Sequence, residues 1–120
     1  MKMNLRLLFF TAIFAVVLGC ASSVMAQRVG GYKKIAKTDA GAVAAADFAI
    51  SAEATKTNGE IELVSINTAE SQVVAGTNFR LCMSVKVGTQ EQTVIAVVYR
   101  NLKAEFSLTS WVKGECSDGE

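Results

Sequence analysis

The sequence has no histidine and no proline, and only three cysteines in 120 residues. Without histidine there can be no Ser-His-Asp or Cys-His nucleophile pair and no ordinary His-containing zinc site. Three cysteines are too few for a thiolate metal cage, so no metal is expected. The adjacent glycines Gly30-Gly31 precede no apolar strand–helix unit, and no phosphate-cradling loop is present, so no nucleotide cofactor is expected either. Carboxylate chemistry alone would remain, with Asp47 as acid/base and Tyr99 as a donor. Asp47 reads more simply as a solvated helix residue, and the chain is expected not to be an enzyme.

Charge is also in short supply. The chain carries 12 Lys+Arg and 11 Asp+Glu. Lys2 and Arg6 open a segment with the features of a secretion signal: a basic start, the 13-residue apolar run "LLFFTAIFAVVLG", and the small-residue site Val24-Met25-Ala26. That run falls short of the roughly twenty residues needed to span a membrane. Cleavage after Ala26 is expected, with residues 27–120 forming a single domain outside the cell. A lipid-bearing Cys20 in "VLGC" is the alternative, which Val17 and Leu18 fit poorly. Cleavage leaves ten of the Lys+Arg and all 11 Asp+Glu. Near-neutrality argues against a nucleic-acid partner, and Lys33-Lys34 read as a solvated flank.

Past a glycine joint at Gly30-Gly31, where terminal disorder is the default, the chain turns alanine-rich. Asp39 to Asn58 reads as one helix, with Val43, Ala46, Ile50 and Ala54 on its apolar face, Ala42 and Ala49 widening it, and Asn58-Gly59 ending it. From Glu60 the period shortens. "EIELVSINTAES" is a strand with an irregularity near Val64. "TNFRLCMSVKV" places Phe79, Leu81, Met83, Val85 and Val87 on one face. "TVIAVVYR" is a central strand, and "FSLTSWV" places Phe106, Leu108 and Val112 opposite Thr109 and Trp111. The fold class is α+β: one long helix packed on a four- to five-stranded antiparallel meander.

One stretch resists a simple strand reading. In Gln72-Val73-Val74-Ala75-Gly76 two valines are adjacent, so no single core can take both. "VSINTAESQVVAGTNF" resembles the cystatins, inhibitors of papain-like cysteine proteases, whose signature Gln-x-Val-x-Gly falls on Gln72, Val74 and Gly76. Gly30-Gly31 match the family's glycine near the mature N-terminus, and "AADFAIS" is similar to the helix segment of plant cystatins. The resemblance spans Gln27 to Cys116. It implies a monomeric inhibitor, secreted and free of membrane, that plugs a papain-like protease cleft with its N-terminal trunk and two hairpin turns. The implied contacts are Gly30, Gly31, Gln72, Val73, Val74, Ala75 and Gly76. The other reading of the valines is a bulged core strand. A turn at the sheet's edge implies that replacing Gly76 by valine would spare the fold.

Two departures stand out. The family's second hairpin usually carries Pro-Trp, and this chain has no proline. Aligning Val97-Val98-Tyr99 with the family's fourth strand puts the second turn at Asn101-Leu102-Lys103, about 30 Å of extended chain from Trp111. Leu102 is therefore the expected contact and Trp111 a structural residue. A cystatin-fold binding module without inhibition is the alternative function. The second departure is the cysteines. In a meander, Cys82 and Cys116 are two strand spacings apart, about 9.6 Å, beyond the roughly 7 Å a bridge allows. A free or intermolecular Cys116 is expected unless the tail folds back.

Overall fold

The computed structural model describes residues 31–117; the signal segment, Cys20 and Gly30 lie outside them. Strand β1 (Lys33–Ile35) leads into helix α1 (Ala40–Thr57). Strands β2 (Ile61–Val74), β3 (Gly76–Val87), β4 (Gln90–Arg100) and β5 (Phe106–Lys113) follow. They form one sheet in the order β1-β2-β3-β4-β5, antiparallel throughout. The expected helix on a meander is present, with β1 as a fifth strand where a loose terminus was expected.

Local chemistry sets both ends of α1. The Asp39 carboxylate accepts a hydrogen bond from the Ala42 N–H at 3.0 Å, satisfying one of the helix's free donors. Asn58 closes the helix in the left-handed conformation, at φ 55°. Ala42, Ala45, Ala46 and Ala49 are fully buried. With only methyl groups between backbone and sheet, the helix settles closely onto Leu81, Met83, Val85, Val94 and Val98, which are themselves fully buried. Val43, expected on this face, is exposed; the buried stripe is carried by alanines alone. Phe48 adds a flank, stacking on Phe106 with ring centroids 5.6 Å apart.

The strands depart from strict alternation at three places. Register shifts between Leu63 and Ser65, and between Ile66 and Thr68, let Ile61, Leu63, Ile66 and Ala69 all reach the helix side, while Val64 turns outward. A third shift in β5 sets Ser110 opposite Val97 and Leu108 opposite Val98. The extra residue is Thr109, and it reverses the faces beyond it. Trp111 pairs with the buried Ala96 and packs on the core, whereas Val112 is 57% exposed. The expected sides of Val112 and Trp111 are thus exchanged by a one-residue bulge.

The cysteine expectation is overturned. Cys82 and Cys116 form a disulfide with their Cα atoms 5.5 Å apart. The two-spacing argument holds for residues within the sheet, where Cys82, Ile95 and Val112 lie abreast. Cys116 is not in the sheet. After Gly114, whose N–H still bonds the Thr93 carbonyl at 3.1 Å, the chain folds back over the outer face. There Ser117 shares a recess with Cys82 and Ile95. The fold-back also buries Cys82, on the face away from the helix.

Candidate functional site

Strand register brings the expected contact residues to one end of the molecule. Val74 pairs with Gly76, so Ala75 is the tip of the β2–β3 hairpin. Arg100 pairs with Thr77, which places the β4–β5 turn at that same end. Lys33 pairs with Ser71, two residues before Val73, so Gly31 and Tyr32 precede β1 on the side of that same end. One edge thus presents three segments that are distant in sequence.

At the first hairpin, Val73 is 74% exposed, although it lies on the helix side of β2. It has run past the end of the core, so the bulged-core reading fails for this residue. Val74 is half-buried and Ala75 exposed. The side chain of Gln72 lies on the outer face, where its Oε1 accepts from Asn78 Nδ2 at 3.0 Å. Gly76 has φ +103°, outside the range of side-chain-bearing residues. A Cβ at this position would overlap the Arg100 carbonyl oxygen and lie 2.8 Å from the Tyr99 hydroxyl. The hairpin tip is backed by β4, so valine at position 76 is expected to cost stability and not only binding. The Tyr99 hydroxyl donates to the Ala75 carbonyl, bracing the tip from the neighbouring strand.

The second turn is braced from within. Asn101 Oδ1 accepts from the N–H groups of Lys103 and Glu105, each at 2.9 Å. Its Nδ2 donates to Glu105 Oε1 at 2.8 Å. The Asn101 N–H bonds the Glu105 carbonyl, and Ala104 takes φ 64°. Leu102 stands at the crest, 82% exposed. Trp111 is not part of this turn and packs against the core.

Beside the first hairpin, on the outer face, Arg80 is clamped by Glu70 at 2.9 and 3.1 Å and lies 4.1 Å from the ring centroid of Tyr32. Hydrogen bonding to Glu70 raises the Arg80 pKa above its ordinary value, against the opposing effect of partial burial. Gly31 itself is exposed with open space around it, and Gly30 lies outside the described residues. Sequence reasoning passed over two features here. Tyr99 served there to align the fourth strand and as a donor in an enzyme reading, although a tyrosine one residue before a strand's end, beside a glycine hairpin, has a bracing geometry. Tyr32 and Arg80 could not be paired without knowing that β1 joins the sheet.

A family described as aspartic acid proteinase inhibitor, SQAPI, matches residues 33–113, from the first residue of β1 to the last of β5. Among solved structures, the chain is similar to a salivary cystatin from the soft tick Ornithodoros moubata, at 24% identity and TM-score 0.62. The match covers 72% of this chain and 98% of that one. Dimeric human cystatin F is similar at 16% identity and TM-score 0.65, over 82% and 98% of the two chains. Al-CPI is similar at 18% identity and TM-score 0.59, over 71% and 100%. Identities this low speak for the fold alone, the one helix on a five-stranded antiparallel sheet described above. With that fold and a match spanning the whole sheet, the chain belongs to the SQAPI family of aspartic acid proteinase inhibitors, protease inhibitors of cystatin-like fold.

Proposed function

We propose that the chain is a secreted, reversible, non-covalent inhibitor of papain-like cysteine proteases, acting as a monomer. Its contacts would be the segment at Gly30-Gly31, the turn Gln72-Val73-Val74-Ala75-Gly76, and Leu102. The observation that carries this reading is the convergence of Gly31, the Val73–Gly76 turn and Leu102 on one end of the sheet. The turn's small apolar residues suit a narrow cleft: they displace water without a long side chain to be ordered. A tip already braced by Tyr99 has little conformational freedom left to lose on binding. Gly76 lets the backbone approach closely, and the held Gln72 offers polar atoms at the rim. The helix takes no part. Among the described residues, no helix is long and apolar enough to cross a membrane.

A second reading is inhibition of aspartic proteinases, favoured by the family match over residues 33–113. Titrating the chain from Gln27 against papain and against pepsin separates the two. Stoichiometric inhibition of papain that reverses on dilution is the expected result. Inhibition of pepsin alone would transfer the same tip to the other protease class. Inhibition of neither at micromolar concentration would leave a cystatin-fold binding module.

A further inference from the structure

The outer face holds a cluster that the inhibitor reading does not use. Glu70 on β2 and Arg80 on β3 are directly opposite in the register, joined by two parallel hydrogen bonds at 2.9 and 3.1 Å. The fork is partly shielded from solvent: the Glu70 side chain is only 13% exposed, the Arg80 side chain 37%. The guanidinium carries the ring of Tyr32 at 4.1 Å, a cation–π distance. Tyr32 lies just ahead of β1, whose pairing with β2 covers only Lys33, Lys34 and Ile35. Three residues of ladder hold a strand weakly. Immediately before Tyr32 come Gly30 and Gly31, the pair with the least backbone restriction.

From this juxtaposition we infer that Tyr32, seated on the Arg80–Glu70 fork, is a positioning residue: it fixes where the N-terminal trunk leaves the fold and so aims it beside the first hairpin. The proposal rests on the inhibitor reading of the same tip. Without the ring on Arg80, the trunk's base would be held by the three β1 pairs and by Ile35 against the core, with nothing at Tyr32 itself to set its direction. The trunk could still reach the protease, but each contact would have to offset the ordering of a looser segment. The consequence is expected on dissociation more than on association, where changes within one interface mostly fall.

A cycle of variants tests this on the inhibited protease identified by the papain and pepsin titrations. In the chain from Gln27, Tyr32→Ala is expected to speed dissociation about three- to tenfold, the range of a single cation–π contact. Removing residues through Gly31 is expected to speed it at least as much. In the trimmed chain, Tyr32→Ala is then expected to have almost no further effect, because no trunk is left to aim. Tyr32→Phe retains the ring and is expected to restore the parent's rate. A residue that merely stabilised the sheet would change the trimmed and untrimmed chains equally, and that result would overturn the anchor while leaving the inhibitor reading intact. A parent chain that inhibits neither protease would overturn the inhibitor reading and the anchor with it.

Discussion

The two hairpins that share the tip keep their shape by opposite means. The first has no bracing side chain of its own at its crest; it depends on Gly76 and on β4 behind it, through the Tyr99 hydroxyl and the Arg100 backbone. The second is self-contained: Asn101 ties the loop to itself through five hydrogen bonds, and Leu102 is free to project. A turn held by its neighbour cannot change without disturbing that neighbour. A turn held by its own residues can vary at its crest. The first hairpin should therefore tolerate little, and the second should be the place where target preference is adjusted.

The strongest way to break this comparison is Gly76→Val. Positive φ and the overlap with the Arg100 carbonyl add backbone strain to overpacking, each about 1–3 kcal/mol. Chemical denaturation should show a loss near the sum, and inhibition should fall by orders of magnitude. Gly88→Val is the control: φ there is +62° with nothing within 4 Å, so about 1–2 kcal/mol of strain is expected alone, with inhibition kept. Equal losses at both positions would show that β4 does not back the first hairpin.

Next in size is the disulfide. Cys82 and Cys116 close a loop with a sequence separation of 34, for which chain entropy gives about 3–4 kcal/mol. Cys82 lies six residues along β3 from Gly76, roughly 20 Å. Replacing both cysteines by serine should lower the denaturation midpoint while leaving the inhibition constant of still-folded protein within about twofold. A large loss of inhibition would mean that the outer-face tail reaches the tip.

Leu102→Ala and Trp111→Ala divide binding from packing. Trp111 is partly buried against the core, so its truncation should cost stability toward the lower end of about 3–5 kcal/mol and spare binding. Leu102→Ala should weaken inhibition with stability changed by less than about 0.5 kcal/mol. The reverse pattern would relocate the second contact. Tyr99→Phe is smaller. Losing one hydrogen bond, about 0.5–1.5 kcal/mol, should loosen the first hairpin and raise the inhibition constant by up to about tenfold.

These effects also mark what could be read in the sequence. The helix with its Asn58-Gly59 end and the four long strands follow from period and composition, and the two turns, with Leu102 at the second, from the family resemblance and the spacing it sets. What was hidden depends on single-residue insertions. Thr109 exchanges the faces of Trp111 and Val112, and Asn67 adds to the irregularity already legible near Val64 in letting more of β2 face inward. A bulge leaves almost no trace in composition, yet it inverts every side chain beyond it. The disulfide was hidden for a related reason: its partner leaves the sheet, so lateral spacing does not govern it. Val43 was misplaced because an alanine-rich helix gives its buried face little contrast. At the tip, the expected contact residues were legible as a motif, whereas the bracing by Tyr99 and the pairing of Tyr32 with Arg80 become visible only once β1 and β4 are in register.

The smallest expected effect is the sharpest test of the self-contained turn. Ala104 holds φ 64° at the end of the Asn101 loop, a conformation that costs a side-chain-bearing residue about 1–2 kcal/mol. The loop's hydrogen bonds stabilise it enough to keep alanine there: the Ala104 N–H bonds the Asn101 carbonyl at 3.0 Å, and Asn101 Oδ1 holds the residues on either side. Ala104→Gly removes the strain but gives the unfolded chain more freedom, which takes back about 0.4–1 kcal/mol. A net gain of a few tenths to about 1 kcal/mol should appear in denaturation, with the inhibition constant unchanged because Leu102 keeps its place. If Ala104→Gly instead weakens inhibition, the crest depends on the rigidity of residue 104, and the second hairpin is no more tolerant than the first.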